Sequence, residues 1–231
     1  MSSWKKLHEE IVSCRRCPRL VDWREQVAME KRRAFMSWNY WGKPVPGFGD
    51  TCARLLIIGL APGAHGANRT GRMFTGDSSG DTLTRAMWRA GLANQSESVE
   101  RDDDLQFKDA YLTAIARCAP PENRPVAEEL TNCRQFLLDE ITLLDRVEVV
   151  LALGHLAFQG YLKVLRSKDY EVAQLKFSHG EWYSFPEPLP KLVTCYHPSR
   201  QNTQTGRLTT KMLDRVFHGI RTELDGSSGG L

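Results

Sequence analysis

The sequence predicts an α/β fold: a three-layer α/β/α sandwich around a central four-stranded, mostly parallel sheet. Three observations predict it. Four apolar runs are continuous rather than alternating, as in strands covered on both faces. Helical patterns separate them, so strands and helices alternate along the chain. Each run is followed by a glycine-, proline- or histidine-bearing loop, and such sheets bind ligands beyond the carboxyl ends of their strands.

The elements follow in order. The runs are "RLLIIGLA" (54–61), "AYLTAIAR" (110–117), "VEVVLALG" (147–154) and "KLVTCYH" (191–197). The first helix lies in "SSGDTLTRAMWRAGL" (78–92), with Ser and Asp as capping candidates and an end near Gly91. The second lies in "RPVAEELTNCRQFLLDEITLL" (124–144), with Pro125 near its first turn and acids early. The third and fourth lie in 155–167 and 206–224. Residues 173–185, "AQLKFSHGEWYSF", read as an added hairpin turning at "SHGE". Residues 95–104, "QSESVERDDD", read as a polar, mobile loop. Residues 1–224 form one domain in this reading, and 225–231, "DGSSGGL", a flexible tail.

The chain has 231 residues, enough for one good core. No apolar run approaches the roughly 20 residues of a membrane span. "MSSWKKLHEE" lacks the apolar stretch of a signal peptide, so a cytoplasmic location is expected. A net charge of +3 permits nucleic-acid binding without arguing for it, because the placement of the charges decides.

Six cysteines are too many to ignore in a reducing compartment, where structural disulfides are rare. Cys14 and Cys17 form a C-x-x-C, and Cys118 and Cys133 follow far along the chain. Two thiolates on one turn are a metal-binding device. The second close knuckle of a zinc site is missing, and an iron–sulfur cluster tolerates ligands from separated elements. Zinc, cluster and plain buried thiols all stay open on spacing. Cys52 and Cys195 read as core or near-core residues.

Two loops carry the chemistry. In "YHPSRQNTQTG" (196–206), His197 closes a strand and Pro198 stiffens the turn. Ser199, Gln201, Asn202 and Thr203 supply short donors there, and Arg200 and Arg207 supply charge. Alone, such a histidine is more often structural; the second loop at the same rim reverses that. That loop is "GLAPGAHGANRTGRMFTGD" (59–77). It is neither a Walker loop nor G-x-G-x-x-G. Phe74 is core, or a stacking ring for a flat ligand. Asp77 is a helix N-cap, or a carboxylate that orients a water.

These two motifs, with the four cysteines, resemble the uracil-DNA glycosylase superfamily, and within it family 5, the B type. The likeness runs from Cys14 to about Leu224. It implies the α/β/α sandwich and a [4Fe–4S] cluster on Cys14, Cys17, Cys118 and Cys133. It implies a monomeric repair enzyme that flips uracil from double- or single-stranded DNA and hydrolyses the glycosidic bond. Hypoxanthine and some damaged pyrimidines are further implied substrates. Flipping costs a few kcal/mol and is easiest at mismatched bases.

On that resemblance His197 donates to the anion that develops on O2 of the leaving base. Other branches carry an Asp, Glu or Asn early in the first motif; here Leu60 and Ala61 stand there. Asp77 is therefore the expected water-positioning group, with Asn123 of "PPENRP" as the second candidate and a possible base reader. Backbone at Gly59, Ala61 and Gly63 forms the base wall, and Phe74 stacks. Ser199, Arg200, Gln201 and Asn202 contact DNA. His65 and Asn68 belong to the motif without an assigned role. The missing acid also allows a catalytically inactive iron–sulfur protein that binds damaged DNA. A nucleotide-binding α/β enzyme with a structural zinc is the third reading.

Overall fold

The computed structural model describes residues 3–227. The chain opens with α1 (Trp4–Val12) and α2 (Pro18–Glu30), neither anticipated from the sequence. Ser3 caps α1 by accepting from Lys6 N, and Pro18 opens α2 where a missing N–H costs nothing. There follow β1 (Phe48–Gly49), β2 (Leu55–Gly59), α3 (Ala67–Thr70), α4 (Ser78–Arg89), β3 (Ala110–Ala114) and α5 (Ala127–Leu143). The chain ends with β4 (Val149–Leu153), α6 (His155–Ser167), β5 (Trp182–Tyr183), β6 (Lys191–Cys195), α7 (Arg200–Gln204) and α8 (Thr210–Ser227).

The sheet order is β1-β3-β2-β4-β6-β5. The four predicted strands are its parallel centre. Six strands replace the expected four, because β1 and β5 join the edges antiparallel. With two residues each, neither has a periodicity that a sequence could display.

Alternation along β2 splits the core. Leu55 and Ile57 face Leu83 and Met87 of α4 and Leu213 and Phe217 of α8. Leu56 and Ile58 face Leu137 of α5 and Phe158 and Tyr161 of α6. Both faces are thus covered, which is why the strands read as unbroken apolar runs.

Four local expectations need correcting. Within 173–185 there is no internal hairpin: residues 173–178 form no strand, and β5 pairs instead with β6. Residues 95–104 are not a loose polar loop. Ser98 is fully buried, and Asp103 accepts from Val99 N and Glu100 N while pairing with buried Arg72. Cys52 is exposed rather than core, whereas Cys195 is buried. Helix α8 continues to Ser227, past the expected start of the tail; residues 228–231 lie outside the described residues.

Candidate active site

Strand β2 ends at Gly59, and the chain turns into the glycine-rich loop. A Cβ at Gly59 would lie 2.6 Å from Phe74 Cε2, so glycine lets the Phe74 ring rest against the strand end. Phe74 itself has a left-handed backbone, φ 49°. It is held there from behind: a Cβ at Gly80 would meet its carbonyl oxygen at 2.1 Å, and Ser98 Oγ donates to that oxygen at 3.3 Å. Phe74 as a residue is 9% exposed, so only a small part of it is open to a ligand.

Strand β6 delivers His197 to the same place. The imidazole and Phe74 rings lie 5.8 Å apart, inclined at 33°. The histidine backbone is fixed by Asn202, whose Nδ2 donates to His197 O at 2.8 Å. Gly154, at φ 93°, lets β4 turn close by, since a Cβ there would sit 3.3 Å from that of His197. Burial pushes the His197 pKa down to about 4, so the ring is neutral near pH 7. Neither ring nitrogen has a protein hydrogen-bond partner among the described residues. One N–H donor is therefore available to a ligand.

Asp77 is a helix N-cap with its second carboxylate oxygen left for the loop. Its Oδ1 accepts from Ser79 N at 2.9 Å and Gly80 N at 3.0 Å, an N-cap for α4. Its Oδ2 turns toward the glycine-rich loop, where a Cβ at Gly63 or Gly66 would come within 2.7 or 2.1 Å. Burial raises its pKa, and the two backbone N–H groups and Arg69 oppose that rise.

The backbone expected to form a base wall is partly engaged already. Gly59 O accepts from Ile115 N, Leu60 O from Ala116 N, and Gly63 O from Gly66 N and Asn68 N. Ala61 lies between them, half-buried. Ser199 caps α7 through Asn202 N, and Asn202 is committed to His197. Arg200 and Gln201 are exposed. Asn123 stands apart, exposed on a turn with φ 56°. No hydrogen bond or ring contact among the described residues joins it to Phe74, Asp77 or His197.

The roles of His65 and Asn68 emerge as structural. His65 Nδ1 pairs with Tyr40 OH at 3.1 Å, and burial lowers its pKa, with Arg32 and Arg69 adding to the effect. Asn68 is fully buried and its Nδ2 donates to Arg24 O at 3.2 Å. Arg69 is the residue that sequence reasoning missed. Its guanidinium is sandwiched 4.0 Å from the Phe35 ring centroid and 3.9 Å from that of Trp38. It donates to His65 O and Gly76 O, both at 2.8 Å, and so braces the loop on each side of α3. The aromatic density of "AFMSWNYW" was the available signal.

The four cysteines come from α1's end, α2's start, the loop after β3, and α5. Cys17 and Cys118 pack together around Leu20, and Cys14 packs beside Phe136. The charges of Cys14 and Cys133 both act on Cys118, and those of Cys14 and Cys17 on Cys133. Arg24, 2% exposed, donates from Nη1 to Cys118 Sγ at 3.0 Å. Burial pushes the Cys118 thiol up to about 12 and that of Cys133 upward. Among the described residues, no group of three or more His, Cys, Asp or Glu is set to hold a metal ion. The donor chemistry, four soft thiols of which Cys118 meets a buried cation, still suits an iron–sulfur cluster.

Comparison of the sequence with known proteins shows the family. Residues 46–221 match the model of the Uracil DNA glycosylase superfamily. A type-5 uracil-DNA glycosylase of Mycobacterium leprae is 50% identical over 217 residues, covering 94% of this chain and 93% of that protein. The type-5 uracil-DNA glycosylase of Thermus thermophilus is 49% identical, over 90% of this chain and 93% of its own. A type-4 uracil-DNA glycosylase of Pyrobaculum aerophilum is 27% identical, over 84% and 82%.

Proposed function

The chain belongs to the type-5 uracil-DNA glycosylases of the uracil DNA glycosylase superfamily, and on that footing we propose that it hydrolyses the N1–C1′ bond of deoxyuridine in DNA. The observation that carries the proposal is the neutral His197 at the rim, beside Phe74, with an uncommitted ring.

The reaction passes through an oxocarbenium-like sugar while the base departs as an anion. A flipped uracil meets the open part of the Phe74 ring and the backbone at Gly59, Ala61 and Gly63. His197 donates a hydrogen bond to O2 as charge builds there. A neutral imidazole suits this task, because donation rather than proton transfer is needed. Preorganised donors of this kind act most strongly where water is excluded. Asp77, through the oxygen that faces the loop, aims a water at C1′. Asn123 reaches the substrate from its exposed turn. Arg200 and Gln201 meet phosphates, while Ser199 and Asn202 shape the turn that presents them.

Cys14, Cys17, Cys118 and Cys133 would hold a [4Fe–4S] cluster. Such a cluster supplies a cross-link between the N-terminal helices and the loop after β3. Arg24 would offset the negative charge of its thiolates. Breadth toward hypoxanthine and damaged pyrimidines follows from a wall built of backbone. The enzyme would act as a cytoplasmic monomer on double- or single-stranded DNA. No described helix is long and apolar enough to cross a membrane. The reading as an inactive damage-binding protein gains nothing from the relatives, which carry the name of an enzyme.

The test is alkaline strand scission on labelled duplexes carrying U, hypoxanthine or T opposite G or A. Cleavage at U is expected. No abasic product from any duplex would favour the inactive reading.

A further inference from the structure

The segment 31–43, "KRRAFMSWNYWGK", carries Lys31, Arg32, Arg33 and Lys43 and no acid. Neither the strands nor the chemistry just described uses it. A run of charge is most often only a solvated face, so its surroundings must decide.

Three observations separate this run from an ordinary solvated face. First, it is fastened to the glycine-rich loop. Trp41 N donates to Arg69 O at 2.9 Å, Gly42 N donates to Asn68 O at 3.0 Å, and Tyr40 OH pairs with His65. Second, its aromatic rings hold contacts within the protein. Phe35 and Trp38 clamp Arg69, and Tyr40 is buried. Third, its cations lack carboxylate partners among the described residues, and only Lys31 is engaged by a hydrogen bond, from Nζ to Met36 O at 3.3 Å. Arg32, Arg33 and Lys43 are exposed, and no ion pair of theirs or of Lys31 occurs among the described residues. Arg15, Arg19, Arg54, Arg72, Arg89, Arg117 and Arg221 have carboxylate partners. Arg85, Arg146, Arg166 and Arg215 are exposed without an ion pair among the described residues, but each stands singly in the sequence, whereas Lys31, Arg32 and Arg33 are consecutive. The nearest acid in sequence, Glu30, accepts from Gln26. Arg101, also exposed, adds its guanidinium 4.7 Å from the Trp41 ring centroid, with Lys43 at 5.6 Å on the same ring.

We propose that Lys31, Arg32 and Arg33, with Lys43 and Arg101 beside them, form a phosphate-binding strap. It holds the DNA backbone beside the glycine-rich loop. His65 and Arg69 link the strap to Gly76 and Asp77, so it flanks the site rather than standing free of it. The exposed cations read phosphates. Its contribution is therefore independent of sequence and of the lesion. It rests on DNA being the substrate.

The test is binding of a duplex with a non-cleavable abasic analogue, and of the same duplex without one, over a range of salt. The variant is Arg32→Gln with Arg33→Gln; both side chains are exposed, and the hydrogen bonds of Arg32, to Tyr40 OH and from Phe35 N, are made by its backbone. Each lost phosphate contact lowers the salt slope by about 0.9. The double variant should lose about one to two units of slope and roughly tenfold in affinity, equally on both duplexes. Its single-turnover cleavage at saturating enzyme should stay that of wild type, and Arg32→Lys with Arg33→Lys should restore binding. A control of equal charge change, Lys5→Gln with Lys211→Gln, should move the slope much less. An unchanged slope, or an equal loss in the control, overturns the strap. Wild type that cleaves no uracil duplex overturns the DNA reading instead.

Discussion

At the scale of single residues, His197 and Asp77 titrate in opposite senses, and each leaves a signature. His197 is held neutral by burial, with its pKa depressed from 6.5 to about 4. The unfolded chain therefore takes up a proton that the folded one refuses. The histidine's contribution to stability is whole above 6.5 and is lost as pH falls toward about 4. Thermal melts of wild type should drop faster through that window than melts of His197→Asn. A parallel drop would show that the ring is not desolvated. Asp77 is displaced the other way, above the ordinary carboxylate range. If it aims the water, cleavage should fade with acid at a pH above that typical of an aspartate. Asp77→Asn should slow single-turnover cleavage at least tenfold, remove that acid limb and leave DNA binding intact. An unchanged rate would leave the residue only a helix cap. The cap was legible, because an Asp before "SSGD" and a periodic helix has one common meaning. The turn of its second oxygen toward Gly63 and Gly66 was not, since it depends on how a loop folds back. Asn202 shows the same limit. Its sequence neighbourhood says donor, and only the turn geometry says that the donor is spent on His197 O.

At the scale of elements, the four central strands and four of the long helices were legible because burial on both faces writes itself as unbroken apolar runs. What escaped depends on distant partners. Residues 95–104 look like solvent-facing loop by composition, yet Arg72 lies under them and ties down Asp103. The link between β3 and α5 is similar. Arg117 and Glu140 are 1% and 0% exposed and paired at 2.6 Å, with Thr113 Oγ1 and Gly47 N also donating to the carboxylate. Removing one partner of such a pair leaves a buried charge uncompensated, at about 3–5 kcal/mol. Glu140→Ala should therefore lower stability by that amount in urea titrations. It should also disturb the loop at Cys118, next in sequence to Arg117. A loss within experimental scatter of zero would mean that the pair is hydrated.

At the scale of the whole molecule, the N-terminal helices matter because they bring Cys14, Cys17 and Arg24 against the sheet's loops. Arg24 touches both halves of the architecture: its side chain donates to Cys118, and its carbonyl accepts from Asn68 of the glycine-rich loop. With the proposed cluster in place, Arg24→Gln removes the buried cation beside the thiolates. Iron and the visible absorbance should then be lost to a chelator several-fold faster than from wild type, before any change in uracil cleavage is scored. Equal loss rates would reduce Arg24 to packing. The spacing of the cysteines left zinc and cluster open, and the resemblance alone pointed to the cluster. Metal content of the purified protein decides it directly.

The central claim is that a neutral His197, set against Phe74 at the end of β6, carries uracil excision. It is tested most directly by the single-turnover rate of abasic-site formation from a U:G duplex, measured for wild type and His197→Asn at saturating enzyme. The account predicts product from wild type and a rate about 10²–10³ lower in the variant, with unchanged affinity for DNA. Equal rates from the two proteins, or no abasic product from wild type, would contradict it.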